Sequence, residues 1–201
     1  MTLFRLDASI RRVGSVSREI ADAVERAWLA EHPGDPVVRR DVGAEPLPAD
    51  AWVLAAARKL APGSELTAPQ RDAAALAARL ADELIDADAA VVAAPLYNYS
   101  VSQHLKSWID VLVTDPRLAP GAEQPLAGKP LALVVARGGG YGPGTPKEGW
   151  DHGTPWLLRI FADVFGMDVR LVPCELTLAD VNPAMETLRP RAAEVRREAM
   201  E

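Results

Sequence analysis

Three short stretches of this chain concentrate hydroxyl, phenol, amide and glycine residues, and each follows an apolar run. Ser9-Ile10-Arg11-Arg12-Val13-Gly14-Ser15-Val16-Ser17 follows Leu3 to Ala8. Its hydroxyls are spaced so that a loop curls over an anion and hands it to a helix opened by Ser17, where backbone N–H groups and the helix dipole favour a phosphate. Pro95-Leu96-Tyr97-Asn98-Tyr99 follows the wholly apolar Ala89 to Ala94, a run short enough and rich enough in small and β-branched residues to be a strand buried on both faces. Arg137-Gly138-Gly139-Gly140-Tyr141-Gly142-Pro143-Gly144 follows Pro130 to Ala136; its glycines let backbone approach a flat ligand and Tyr141 stand over it. No Gly-x-Gly-x-x-Gly follows the first strand and no Gly-Lys-Ser/Thr pair occurs, which disfavours a dinucleotide fingerprint and a P-loop. A monophosphate suits the serines better. Each stretch taken singly also reads as an ordinary cap, turn or surface loop.

The elements that position these loops alternate along the chain. Strands are expected at Leu3 to Ala8, Val37 to Val42, Ala89 to Ala94, Pro130 to Ala136 and Asp168 to Pro173. Between them lie helical stripes: Ile20, Val24, Ala27 and Trp28; a short helix around Ala51 to Leu60; Leu76, Leu80 and Leu84 after Thr67-Ala68-Pro69; Val101, Leu105, Trp108, Ile109 and Leu112; Thr154 to Phe165; and Pro183 to Met200. Arg39 and Arg40 put the second strand at an edge. Five strands joined by helices predict one α/β domain over residues 1–201, a flavodoxin-like doubly wound parallel sheet of order 2-1-3-4-5 with helices on both faces. In that order the loops after strands one, three and four adjoin the switch point, where ligands of such sheets bind, and these are the three polar stretches.

Composition sets the outer bounds. The formal charge of −6 and pI near 5.2 argue against a sequence-independent hold on nucleic acid or an anionic membrane. Cys174 is the single cysteine, expected as a small core residue, so no intramolecular disulfide and no cysteine-based metal cluster can form. No histidine–carboxylate spacing suggests a metal site. With no secretory or membrane-spanning run, the expectation is a cytoplasmic protein.

Together the three loops resemble the flavin-dependent azoreductases of the flavodoxin-like quinone reductase group. The likeness rests on Ser9, Ser15, Val16 and Ser17; on Pro95-Leu96-Tyr97-Asn98-Tyr99 with Leu105-Lys106-Ser107-Trp108-Ile109-Asp110; and on Arg137-Gly138-Gly139 followed by Tyr141. It implies FMN, with its phosphate on Ser9, Ser15 and Ser17 and its ring against Leu96 to Tyr99 and Gly138 to Tyr141. It further implies NADH or NADPH as co-substrate, a quinone, azo compound or related electron-poor aromatic as acceptor, turnover by alternating occupancy of one pocket, and a homodimer with the site at the subunit interface. Asn98 and Tyr141 are the candidate catalytic residues, Asn98 for the ring's polar edge and Tyr141 for an acceptor oxygen or nitrogen.

The chain departs from the family pattern at Ala136, where many members carry serine, and over Thr114 to Gly121, which lacks the family's aromatic. Trp150 and Trp156 are candidate replacement walls, His152 a candidate to sit by the pocket near them, and Trp52 a candidate to reach across a dimer. Two other readings stay open: a flavodoxin-type electron carrier, and a member specialised for one metabolite or without flavin.

Overall fold

Apolar runs become five parallel strands in the computed structural model, which describes residues 1–61, 63–119 and 121–201. Pro62 and Pro120 lie outside the described residues. The order of elements is β1 (Leu3–Asp7), α1 (Val16–Glu31), β2 (Val37–Asp41), α2 (Ala51–Ala55), α3 (Ala57–Leu60), α4 (Ala68–Ile85), β3 (Ala89–Pro95), α5 (Gln103–Leu112), β4 (Pro130–Ala136), α6 (Thr154–Leu158), β5 (Asp168–Cys174) and α7 (Arg189–Glu198). The sheet order is β2-β1-β3-β4-β5, as the alternation predicts.

Strand registers bring the three loops to one rim. Asp7 pairs with Asp41 on one side and Ala93 on the other, and Pro95 pairs with Ala136. Every residue of β1 and β3 is buried, as expected of central strands covered by helices on both faces.

Side chains alternate across the sheet, so each face has its own core. Phe4 and Leu6 face α4 and α5, where Phe4 stacks on the fully buried Trp108 at 6.1 Å between centroids. Leu3, Val91, Ala93, Val134 and Cys174 face α1 with Ile20 and Ala21. The Cys174 thiol is pushed up to about 11 by burial. At the edge strand, Arg39 pairs with Glu25 of α1 and Arg40 with Glu83 of α4, which answers the charge the sequence places there.

Three expectations change in detail. Ala27 is exposed and Ala21 takes its place in the α1 stripe. The expected helix from Thr154 to Phe165 keeps α geometry only to Leu158; the next residues form a wider turn in which Phe165 N–H reaches the Ile160 carbonyl at 3.0 Å, with Phe161 and Phe165 both buried edge to face at 6.0 Å. The closing helix begins as a tighter turn over Pro183–Leu188. Among the described residues no helix is long and apolar enough to cross a membrane.

Candidate functional site

The serine loop is built on the start of α1. Ser15 is the N-cap, and Ser17, expected there, is the second helical residue; Glu19 N–H already reaches the Ser15 carbonyl at 3.1 Å, which fixes the earlier start. The N–H groups of Val16, Ser17 and Arg18 precede that first intrahelical bond. The Ser15 and Ser17 hydroxyls lie 3.2 Å apart and are buried. Ser9 is also buried, its Oγ accepting from the Arg11 N–H and lying 3.2 Å from the Tyr97 hydroxyl, so the loops after β1 and β3 touch through side chains.

A partly buried ionic frame holds this loop from behind. Arg18 grips both Asp41 oxygens at 2.6 and 2.7 Å and donates to the carbonyls of Ser9 at 2.7 Å and Arg11 at 3.1 Å. Burial alone would raise the Asp41 carboxyl, but Arg18 and the N–H groups of Ala44 and Gly43 outweigh it and hold it below the usual range. Beneath it, Asp7 is buried against Arg5; there burial prevails and the carboxyl sits above its ordinary value. Gly43 completes the frame: a β-carbon on it would stand 2.1 Å from the Ser9 carbonyl oxygen. Sequence reasoning passed over Arg18, Asp41 and Gly43, because nothing in their local pattern distinguishes them from helix surface, strand end and turn.

After β3 the chain makes a tight reversal. Tyr97 and Ser100 exchange backbone hydrogen bonds of 2.8 and 2.9 Å, while Asn98 and Tyr99 take φ of 48° and 70°. Two successive left-handed residues suit asparagine and are strained for tyrosine. The turn sends Tyr97 inward to Ser9 and leaves Asn98 and Tyr99 exposed, with Trp150 edge-on to Tyr99 at 5.3 Å. The segment carrying Trp150 docks here through the His152 N–H, which donates to the Tyr99 carbonyl at 2.9 Å, and through Gly153, where a β-carbon would meet Leu96 at 2.7 Å.

The loop after β4 presents Gly138 to the cavity. Arg137, expected among the ligand-binding residues, has its side chain committed to Glu175 at 3.1 Å, Asp151 at 2.9 Å and the Thr154 hydroxyl at 3.0 Å, and it braces the loop rather than facing the serines. A fourth rim segment that the sequence did not single out follows β5: the N–H groups of Leu176, Thr177 and Leu178 donate to the carbonyls of Gly139, Arg137 and Gly138. Leu178 then lies over Gly138, 2.7 Å from where a β-carbon would be.

Ser9, Ser15, Val16, Ser17, Pro95, Leu96, Tyr97 and Gly138 therefore line one cavity of about 140 Å³, with Ala136, Thr177 and Leu178 closing it. Asn98, Tyr99, Gly139 and Tyr141 are not in that lining. Gly139, Tyr99 and Tyr141 are instead linked by Lys147, and Trp156 lies apart, half-buried beneath Lys106. A larger cleft of about 790 Å³ runs between the glycine-rich loop and α7 and shares Arg137 and Gly139 with the rim.

Comparison with known proteins places this arrangement. A family model described as a flavodoxin-like fold matches residues 1–197. The FMN-dependent NADH:quinone oxidoreductase of Kineococcus radiotolerans is 42% identical over 196 residues, covering 95% of this chain and 90% of that one. The protein of the same name from Frankia casuarinae is 38% identical over 185 residues, covering 91% and 87%. Among solved structures, azoreductase AzrA superposes with a TM-score of 0.78 at 23% identity over 100% of this chain and 95% of the other. An FMN-dependent NADH-azoreductase from Bacillus anthracis in complex with FMN superposes with a TM-score of 0.74 at 17% identity, over 99% and 98%; these two likenesses speak to the fold. On the family model and the sequence relatives together, the chain belongs to the flavodoxin-like family that includes the FMN-dependent NADH:quinone oxidoreductases.

Proposed function

We propose that this chain is an FMN-dependent oxidoreductase that carries two electrons from NADH to a quinone, azo compound or related electron-poor aromatic, with nicotinamide and acceptor using one pocket in turn. The observation that carries the reading is the convergence of the loops after β1, β3 and β4 on one cavity at the start of α1. The residues there fit FMN. A buried pair of hydroxyls beside three first-turn N–H groups suits a phosphate monoester, while Leu178 covers Gly138 and Lys147 stands against Gly139 where their β-carbons would be. At about 140 Å³ the cavity takes the phosphate and part of a polyol chain, so the ring's place lies at its mouth, toward Gly139, Tyr99 and Tyr141.

Bound FMN supplies the two-electron chemistry. The chain's own residues position and shield. Ser9, Ser15, Val16 and Ser17 bind the anionic end, and Arg18 keeps the carbonyls of Ser9 and Arg11 turned away from it. Pro95, Leu96 and Tyr97 hold the middle, with Tyr97 locked to Ser9. Asn98 and Tyr99 flank the ring from one loop, Gly138, Gly139 and Tyr141 from the other, and Arg137 stiffens the latter. The Tyr141 backbone N–H donates to Glu175 at 3.0 Å, which fixes the main chain that carries its phenol.

An absorbance scan tests the reading: FMN-loaded protein should bleach on anaerobic addition of NADH and recover its colour with a benzoquinone. A chain that stays colourless and takes up no FMN overturns it, and flavin that NADH does not bleach would favour the electron carrier instead. For the two candidate catalytic residues, Tyr141→Phe should raise the acceptor KM about tenfold with FMN retention unchanged, about the worth of one hydrogen bond. Asn98→Gly, which keeps the left-handed backbone at no strain, should weaken FMN by a similar factor. Unchanged flavin occupancy and turnover in both variants would remove the assignment.

The same reading extends to a homodimer in the cytoplasm. The exposed apolar residues Trp52, Val53 and Leu60 on α2 and α3 support a partner surface, and a lone buried thiol suits a reducing compartment. Light scattering should give twice the chain mass of 21.6 kDa; a monomer at micromolar concentration would refute the dimer.

A further inference from the structure

Lys147 stands where the two aromatic loops meet. Its Nζ lies 5.5 Å from the centre of the Tyr99 ring and 5.4 Å from that of Tyr141. The point a β-carbon on Gly139 would occupy is 3.5 Å from it. Tyr99 belongs to the loop after β3, and Gly139 and Tyr141 to the loop after β4, so one ammonium bridges the two loops, and with Gly139 it lines the larger cleft of about 790 Å³.

A half-buried lysine ordinarily draws a carboxylate, yet the acids of this region are committed elsewhere. Glu175 accepts from Arg137 and the Tyr141 N–H, Glu148 from the Gly144 N–H, and Asp151 from Arg137 and the N–H groups of Gly153 and Thr154. Among the described residues Lys147 has no ion-pair partner, and what holds it is two tyrosine faces. Aromatic faces steady a cation without cancelling its charge. Arg137, the other cation near this loop, is neutralised by Asp151 and Glu175.

We propose that Lys147 is the counter-charge for the reduced cofactor, a role that rests on the FMN reading above. A flavin ring that has taken two electrons and one proton carries one negative charge that the oxidised ring lacks. A fixed cation between the two loops assigned to the ring therefore binds the reduced form more tightly than the oxidised one, and by linkage raises the midpoint potential of the bound cofactor. Neither tyrosine supplies that charge.

The test uses the full chain loaded with FMN and reads the midpoint potential by anaerobic dye equilibration, with no turnover involved. Lys147→Met and Lys147→Gln should each lower the ratio of reduced to oxidised FMN affinity about tenfold, equivalent to about 30 mV for a two-electron couple. Lys147→Arg should keep the ratio within about twofold, because charge and not shape sets it. Affinity for oxidised FMN and the far-ultraviolet dichroism report that each variant is folded. A neutral variant that binds FMN with an unchanged ratio overturns the inference alone; a wild-type chain that takes up no FMN overturns the cofactor reading and this inference with it.

Discussion

Gly43→Ala is expected to lower FMN affinity about a hundredfold while leaving the secondary structure intact. The added methyl would stand 2.1 Å from the Ser9 carbonyl oxygen and 2.5 Å from its carbon. Both are backbone atoms of the facing loop, so no side-chain rotation relieves the overlap. Gly43 has no positive φ, so alanine fits the local backbone and the whole cost falls on the contact. Overpacking of this kind costs about 1–3 kcal/mol, and it is spent on moving Ser9 away from the Tyr97 hydroxyl that it meets at 3.2 Å. Titration of FMN by fluorescence quenching, with riboflavin in parallel, checks the outcome. Wild-type FMN affinity in the alanine variant would show that the Ser9 loop need not occupy this position to hold the phosphate.

The second large effect is on stability. Arg18→Met, which keeps most of the side-chain volume, should destabilise the chain by about 2 kcal/mol, or about 4–8 °C in Tm for a domain of this size. Removing the guanidinium leaves Asp41 without its bidentate partner and the carbonyls of Ser9 and Arg11 without a donor. The figure sits below that for a fully buried pair because Asp41 keeps about a third of its side chain in water. FMN should weaken more than riboflavin, since the loop that loosens is the one assigned to the phosphate. A shift under about 1 °C in thermal unfolding would mean that the frame contributes little.

Much of the fold was readable along the chain, because it rests on period and composition. The uninterrupted apolar run before Pro95 identified a central strand, and the Val101–Leu112 stripe identified the face of α5 that buries Leu105, Trp108, Ile109 and Leu112. Arginines in β2 signalled an edge. What escaped depends on pairing between distant segments. Arg18 looks like a solvent-facing helix residue until the register that sets Asp7 beside Asp41 brings both carboxylates under it. Gly43 looks like an ordinary turn glycine until Ser9 lies against it.

Within the candidate site the serines and Tyr97 line one cavity. Arg137 did not face them, because its charge is drawn to Asp151 and Glu175, whose positions no local pattern reveals. The rim segment after β5 escaped for a simpler reason: Glu175 to Ala179 carries no run of residues that names a chemistry, and it contributes through backbone N–H groups and Leu178.

The burial of Cys174 has a further chemical meaning. Quinones are soft electrophiles that add to sulfur, and the species that attacks them is the thiolate. With its pKa pushed up to about 11, the only thiol of the chain stays protonated at neutral pH, and it lies sealed on the α1 side of the sheet. An oxidoreductase of this construction is shielded from arylation by the compounds its pocket would admit.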